Sequence, residues 1–218
     1  MDILEVSIRF ELDGWTLLMT DLEVAREGAN QLQGLRQSVT AKVRETRSLE
    51  TLSSDPTVAG LRRLFRAAGC DPTRYRPSSE ALLRRLLKGL EMPEIHPLVD
   101  LNNCLSAELL TPCCLMANAT VTPPIVWRQG RPGESYMLLR GKPLDLDRKP
   151  VLADAEGPFD VPVTGSQRVK VTPETRRAQL VSYLPAGVVD PAAATDALVR
   201  LVAAAPVAEI VWTGVSAT

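Results

Sequence analysis

Residues 121–163 constrain the fold most, because Pro or Gly interrupts their short apolar runs about every eight to twelve residues. Runs of this length and spacing predict the strands of a sheet. Residues 2–20 also predict strands, since apolar and polar residues alternate loosely there around a turn signal at Asp13-Gly14. The sequence AEIVWTGV predicts a further strand in the last part of the chain.

Two helices are marked at their starts by an Asp-Pro pair, which combines a capping side chain with a proline at the first helical position. Asp55-Pro56 begins a helix that is predicted to end at Gly69. Asp190-Pro191 begins another that runs to about residue 204. Apolar residues at helical spacing in a polar stretch predict a third helix within residues 22–50.

Two more helices are predicted in the middle of the chain. Ser78 or Ser79 is expected to cap the first, which ends at Gly89, and a short one covers residues 100–110. This order of strands and helices favours an α+β fold, with a mixed or antiparallel sheet core flanked by helices. We find no internal repeat and no low-complexity linker, so we expect one domain over residues 1–218.

The net charge of −1 excludes a protein that binds nucleic acid or anionic lipid by bulk charge, although a local basic patch is still compatible with it. No apolar run reaches about 18 residues, so we expect no membrane partner. The start MDILEVSIRFELD lacks the basic flank of a signal peptide, and we therefore expect a cytoplasmic protein.

The cysteine and histidine pattern bears on metal and redox chemistry. The residues concerned are Cys70, Cys104, Cys113, Cys114 and the single His96. They contain no CxxC pair, and the adjacent pair suits neither a zinc site nor a disulfide framework. We therefore expect free thiols, no metal and no cofactor. His96, between Ile95 and Pro97, is interpreted as a packed or surface residue at the entry to a strand.

Asp100, Asn102 and Asn103 form the densest polar cluster of an otherwise apolar segment, HPLVDLNNCLSAEL. At the start of a helix, short carboxylate and amide side chains usually satisfy backbone donors. The functional alternative is that two amides facing a pocket hold an ammonium and a carbonyl group. The residues alone leave both readings open.

Residues 62–88 carry eight basic residues against two acids in a chain that is nearly neutral. Arg84, Arg85 and Lys88 fall on one face of the predicted helix. This segment is either a solvated helix surface or a ridge that binds phosphate groups.

The sequences RYRPSSEALLRRLLKG and HPLVDLNNCLSAE resemble the B3/B4 domain family, the module that hydrolyses mischarged tRNA within the β subunit of bacterial phenylalanyl-tRNA synthetase. The resemblance covers residues 56–185. Further matching positions are Glu108, Pro112, Gly133-Glu134, Leu152-Ala153-Asp154, Gly165-Ser166, Val171-Thr172 and Thr175.

The resemblance implies a single B3/B4-like domain whose partners are the aminoacylated 3′ end of tRNA and a small-molecule amino acid. The substrate-pocket residues it implies are Asp100, Asn102, Asn103, Cys114, Gly165, Ser166 and Thr175. The tRNA-binding residues that we expect are Arg76, Arg84, Arg85 and Lys88.

The chain also departs from the synthetase at positions that carry its chemistry. Asn102 replaces a threonine, Cys114 a histidine and Ala117 an aspartate, and Val181 stands near the position of a glutamate. The catalytic residues are therefore left unassigned. A cysteine without an identified base is more often inert than nucleophilic, so Cys114 is expected to line the pocket.

Three functions follow from this resemblance. The sequence does not decide among them, so whether the protein is an enzyme stays open. The first is a trans-acting aminoacyl-tRNA deacylase, in which Asn102 and Asn103 orient the amino acid and water, and Gly165 and Ser166 offer backbone donors to the carbonyl. The second is a catalytically inactive module that binds an amino acid or an aminoacyl-tRNA. The third is acyl transfer, in which a small amine replaces water.

Overall fold

The structure, a computed structural model, describes residues 8–25, 27–117 and 120–217. The strands are β1 Ile8–Phe10, β2 Trp15–Val24, β3 Cys113–Ala117, β4 Ile125–Gln129, β5 Ser135–Met137, β6 Pro143–Asp145, β7 Pro150–Asp154, β8 Gly157–Val161, β9 Thr164–Gly165, β10 Arg177–Pro185 and β11 Ala208–Ala217. The helices are α1 Ala29–Thr46, α2 Pro56–Ala67, α3 Ser78–Leu87, α4 Pro97–Leu109 and α5 Pro191–Ala204. The α+β prediction is confirmed.

The strands form two principal sheets and a hairpin. One sheet has the order β11-β2-β10-β3 and is antiparallel throughout. The other has the order β1-β4-β7-β8-β9, in which β1 runs parallel to β4 and the remaining neighbours are antiparallel. Strands β5 and β6 form the hairpin. The expected mixed and antiparallel sheet core is therefore present.

The four-stranded sheet separates two apolar cores. On one face, α1, α3, α4 and α5 pack against Leu180 of β10 and Cys113 of β3. On the other face, α2 and the five-stranded sheet pack against Val181 of β10 and Cys114 of β3. Because successive side chains of a strand point to opposite faces, neighbours in the chain belong to different cores.

The two Asp-Pro helix starts are confirmed. The Asp55 carboxylate accepts the Thr57 amide at 2.9 Å, and the Asp190 carboxylate accepts the Ala192 amide at 3.0 Å. The helix predicted within residues 22–50 is α1, which begins later than the stretch because Val24 still belongs to β2. Of the predicted strands in residues 2–20, the part before residue 8 lies outside the described residues.

Two details of the predicted helix starts are wrong. Neither Ser78 nor Ser79 caps α3, because Pro77 is the N-cap residue and the Ser78 amide donates to the Pro162 carbonyl at 3.0 Å instead. His96 does not enter a strand. It caps α4, where its Nδ1 accepts the Leu98 amide at 3.3 Å, so this helix begins three residues earlier than predicted.

Within the described ranges, no helix combines the length and apolar character needed to cross a membrane.

Candidate functional site

A carboxyl group, a phenol and a thiol meet in the layer between the two sheets, and a second phenol, on the hairpin, lies close enough to feel their charge. These residues, the Asp160 cluster, are Asp160, Tyr183, Cys114 and Tyr136. The Tyr183 hydroxyl donates a hydrogen bond to the Asp160 carboxylate. The Cys114 thiol lies 3.9 Å from the Val161 carbonyl oxygen, and the Tyr136 hydroxyl donates to the Thr164 carbonyl at 2.6 Å.

Strand pairing brings the members of this cluster together. Cys114 on β3 is opposite Val181 on β10, and Tyr183 lies two residues further along β10 on the same face of the sheet. Asp160 comes from β8 of the facing sheet, where it pairs with Gly165 of β9. The cluster is thus assembled from both sheets.

The surroundings of Asp160 are apolar and aromatic. The Tyr183 ring lies 5.1 Å from the Trp127 ring, centroid to centroid, and Trp127 is 5.2 Å from Trp15 in an edge-on arrangement. Asp160 itself is 1% exposed. An ionised carboxylate in such a layer loses its hydration, which favours the protonated form.

Burial raises the pKa of Asp160 to about 7, although hydrogen bonds from Tyr183 and Cys114 hold it lower than burial alone would. Burial, followed by the charge of Asp160, also raises the pKa of Cys114 and of Tyr183 well above their ordinary values. Burial raises the pKa of Tyr136 in the same way. Asp160 therefore exchanges a proton near neutral pH, whereas the thiol and both phenols remain protonated donors.

This arrangement is suited to proton transfer. A carboxyl group that titrates near the working pH can accept a proton from a water molecule and return it to a leaving group. A protonated phenol such as Tyr136 can donate to an oxygen atom that gains negative charge once it releases the Thr164 carbonyl. The Cys114 thiol, in contrast, is not a thiolate and so is not an activated nucleophile.

Three of the sequence-predicted pocket residues lie at this cluster. Cys114 is a member of it, and Gly165 faces Asp160 in the strand register. Ser166 follows directly, and its buried hydroxyl donates to the Phe159 carbonyl at 2.6 Å. The structure therefore places Cys114 and Gly165 beside Asp160, with Ser166 next to Gly165 in the chain.

The structure places Asn102 and Asn103 on α4, which packs against the opposite face of the four-stranded sheet. The Asn102 side-chain amide donates to the Cys113 carbonyl at 3.0 Å, and Asn103 is half-buried. Among the described residues, the buried Oδ1 of Asn102 has no hydrogen-bond partner. The two asparagines are therefore not brought to the Asp160 cluster, since the sheet lies between them.

Asp100 and Thr175 make local backbone contacts. The Asp100 carboxylate accepts the Ile95 amide at 2.9 Å and forms an ion pair with Arg36. Thr175 accepts the Thr172 amide at 2.8 Å and closes a tight turn. Both residues stabilise chain turns in this structure, and neither lies in the Asp160 cluster.

The predicted basic ridge divides into two parts. Three arginines surround the fully buried Glu80 carboxylate: Arg62 at 2.9 Å, Arg84 at 2.9 Å and Arg76 at 3.4 Å. Arg85 is exposed and donates to the Glu91 carbonyl at 2.8 Å, and Lys88 is exposed at the carboxyl end of α3. Among the described residues, Arg85 and Lys88 form no ion pair with a carboxylate, and the same is true of the exposed Arg63, Arg66 and Arg74 of this segment.

All four cysteines are free and buried. Burial raises the pKa of Cys70 to about 11 and the pKa of Cys104 and Cys113 to about 12. Within residues 8–25, 27–117 and 120–217, no group of three His, Cys, Asp or Glu side chains is arranged to hold a metal ion.

Asp160, Tyr183 and Tyr136 were not identified from the sequence. One signal was present, because Asp160 interrupts the apolar strand residues Phe159 and Val161 with a carboxylate. Such a residue on a predicted buried strand is uncommon unless it is paired. The identity of its partners depends on the pairing of distant strands.

The chain was compared with known protein families and structures. Residues 60–202 match the B3/4 domain. A crystal structure of an N-terminal fragment of the phenylalanyl-tRNA synthetase β-subunit from Pyrococcus horikoshii aligns at a TM-score of 0.46 with 11% sequence identity. The alignment covers 100% of this chain and 56% of that one, so the chain spans about half the length of the fragment. No curated protein matches the chain.

Proposed function

Since the chain belongs to the B3/4 domain family, we propose that it hydrolyses the ester bond of a mischarged aminoacyl-tRNA in trans, with the Asp160 cluster as its site. The observation that carries this proposal is the position of the buried Asp160 carboxyl group, which accepts a hydrogen bond from Tyr183 and lies beside the predicted pocket residues Cys114 and Gly165. Burial raises its pKa to about 7.

The proposed reaction needs one proton acceptor and donors for an oxyanion. The Asp160 carboxylate accepts a proton from water while the water oxygen forms a bond to the ester carbonyl carbon. Tyr183 keeps donating to Asp160, and the Tyr136 hydroxyl turns from the Thr164 carbonyl to donate to the ester carbonyl oxygen as it becomes negative. The carbon–oxygen bond to the ribose then breaks, and the proton on Asp160 passes to the ribose oxygen.

Access to the cluster is proposed from the side of the hairpin. Tyr136 on β5 and Gly165 on β9 are half-buried, whereas Asp160 and Tyr183 are fully buried. The hairpin is joined to this edge by the Leu138–Ser166 bridge and by the hydrogen bond from Tyr136 to Thr164, so an ester reaches Asp160 on this path only when these contacts open. Tyr136 thus has two proposed roles: it lies on the path to Asp160, and its hydroxyl donates to the ester oxygen.

A binding module without chemistry is the second candidate. The observation that favours it is the near-complete burial of Asp160, whose carboxylate is already engaged by Tyr183. In that case the cluster stabilises the sheet interface, and an amino acid or an aminoacyl-tRNA binds elsewhere on the domain.

A panel of misacylated tRNAs tests the choice between hydrolysis and binding. The loss of the ester is followed with the wild-type protein, with Asp160→Asn and with the control Asp196→Asn, which changes an exposed residue of α5. We expect Asp160→Asn to slow ester loss by about a hundredfold or more, and the control to leave it unchanged. Binding of tRNA without accelerated ester loss by the wild-type protein would establish the second candidate instead.

A further inference from the structure

A polar cavity of about 400 Å³ lies between the start of α1 and the segment that leads into α4. It is lined by Asn30, Gln33 and Arg36 on one side and by Glu94, His96 and Asp100 on the other. Its volume falls within the range of about 300–1,000 Å³ that is typical of small-molecule pockets. None of its lining residues belongs to the Asp160 cluster.

Arg36 is held rigidly in the wall of this cavity. One of its terminal nitrogens is paired with the Asp100 carboxylate, and the two side chains are 11% and 3% exposed. The second oxygen of Asp100 accepts the Ile95 amide at 2.9 Å. Since Asp100 is fixed by the backbone, the guanidinium group keeps a constant orientation.

The other terminal nitrogen of Arg36 donates to Glu94 at 2.8 Å, and this contact is of a different kind. The Glu94 side chain is 80% exposed, whereas Asp100 is almost fully buried. An exposed ion pair of this type contributes little to stability and is easily exchanged. A carboxylate in the cavity can therefore replace Glu94 on Arg36.

The charges around the cavity select the ligand class. Two carboxylates, Glu94 and Asp100, stand beside one guanidinium group, so a dianion such as phosphate meets more repulsion than a monocarboxylate does. A Glu94 side chain released from Arg36 is an acceptor for a cationic group next to the bound carboxylate. Ile95 adds an apolar rim, since it is 66% exposed at the same cavity.

We propose that this cavity binds a free α-amino acid as a zwitterion. The ligand carboxylate pairs with Arg36, and the ligand ammonium pairs with Glu94. The Arg36–Glu94 ion pair thus opens to admit a molecule that carries the complementary pair of charges. This inference is independent of the ester hydrolysis proposed for the Asp160 cluster.

Isothermal titration calorimetry tests the inference with the standard free α-amino acids, and with propionate and ethylamine as probes that carry one charge each. We expect at least one α-amino acid to bind the wild-type protein more tightly than either probe. Glu94→Gln should weaken binding of that amino acid about tenfold or more, because it removes the partner of the ammonium group. The same substitution should strengthen binding of propionate, because it removes the carboxylate that competes for Arg36. Glu91→Gln, another exposed residue that pairs with Arg44 outside the cavity, is the matched control and should change neither affinity.

A double variant tests the role of Arg36. Arg36→Gln with Asp100→Asn removes both charges of the buried pair together, so that no buried charge is left unpaired. It should abolish binding of the amino acid and of propionate. Should this variant not fold, the Glu94→Gln titration decides the matter. The inference is overturned if no α-amino acid binds the wild-type protein, or if Glu94→Gln and Glu91→Gln have the same effect, whatever the outcome of the tRNA assay.

Discussion

Tyr183 and Asp160 are joined by a hydrogen bond that links the two sheets, because Tyr183 belongs to β10 of the four-stranded sheet and Asp160 to β8 of the five-stranded sheet. Both residues are buried in the inter-sheet core. Burial disfavours the charged form of Asp160 and outweighs this hydrogen bond, which favours it, so the protonation of this carboxyl group is coupled to the stability of the fold.

The first prediction concerns stability as a function of pH. Burial raises the folded-state pKa of Asp160 to about 7, above its ordinary value of 3.8, so the folded protein binds this proton more tightly than the unfolded chain does. The free energy of unfolding should therefore fall as pH rises from about 4 to 7, by up to about 1.4 kcal/mol per pH unit from this group. Denaturant unfolding at several pH values measures it, and Asp160→Asn should lose this component whereas Asp196→Asn retains it. Identical pH profiles for the wild-type protein and Asp160→Asn would contradict the prediction.

The second prediction concerns Glu80, whose side chain is 0% exposed and is surrounded by Arg62, Arg76 and Arg84. Glu80→Gln leaves three guanidinium groups without their shared carboxylate. Because the arginines are partly exposed, solvent screens part of this loss, and we expect a destabilisation of about 1–3 kcal/mol. Glu91→Gln removes an ion pair whose carboxylate is 73% exposed and should change stability by less than about 1 kcal/mol. If the two substitutions shift the denaturant midpoint equally, the buried Glu80 carboxylate contributes no more to stability than an exposed one.

The third prediction concerns tRNA binding by the exposed part of the basic segment. Arg85→Gln with Lys88→Gln should weaken tRNA binding and reduce the slope of log affinity against log salt by about one for each lost phosphate contact. The charge-matched control is Lys42→Gln with Arg200→Gln, two exposed residues that both pair with Glu108. Affinities measured by filter binding at several salt concentrations distinguish the two double variants. If both reduce affinity equally, net charge rather than a local contact is responsible.

The fourth prediction separates two neighbouring asparagines. Asn102→Ala removes a buried hydrogen bond to the Cys113 carbonyl and should lower the free energy of unfolding by about 1 kcal/mol. Asn103→Ala should leave ester hydrolysis per folded molecule unchanged, since the four-stranded sheet separates α4 from the Asp160 cluster. Thermal unfolding and deacylation are measured on the same preparations. A large loss of turnover in a folded Asn103→Ala protein would place the reaction on the helical face of the sheet and refute the Asp160 site.

Local chemistry in the sequence was sufficient to predict several element boundaries. The Asp-Pro pairs at Asp55 and Asp190 begin α2 and α5, because capping and the fixed backbone angle of proline act within a few residues. Gly89 ends α3 in the left-handed conformation for the same kind of reason. The start of α3 shows the limit of such reasoning, since its first amide is satisfied by Pro162, a residue far away in the chain.

The residues of the candidate site were only partly predictable. Cys114, Gly165 and Ser166 were named from the sequence, but the carboxylate that unites them was not, because Asp160, Cys114 and Tyr183 meet only through the packing of two sheets. Likewise, the sequence showed an excess of positive charge around α3 but not that Arg62, from α2, shares a buried carboxylate with Arg84.

The sequence by itself determined the order and type of the elements, since these depend on local spacing and capping. The tertiary structure alone decided which polar groups are buried together, because burial and the pKa shifts that follow from it depend on contacts between residues distant in the chain.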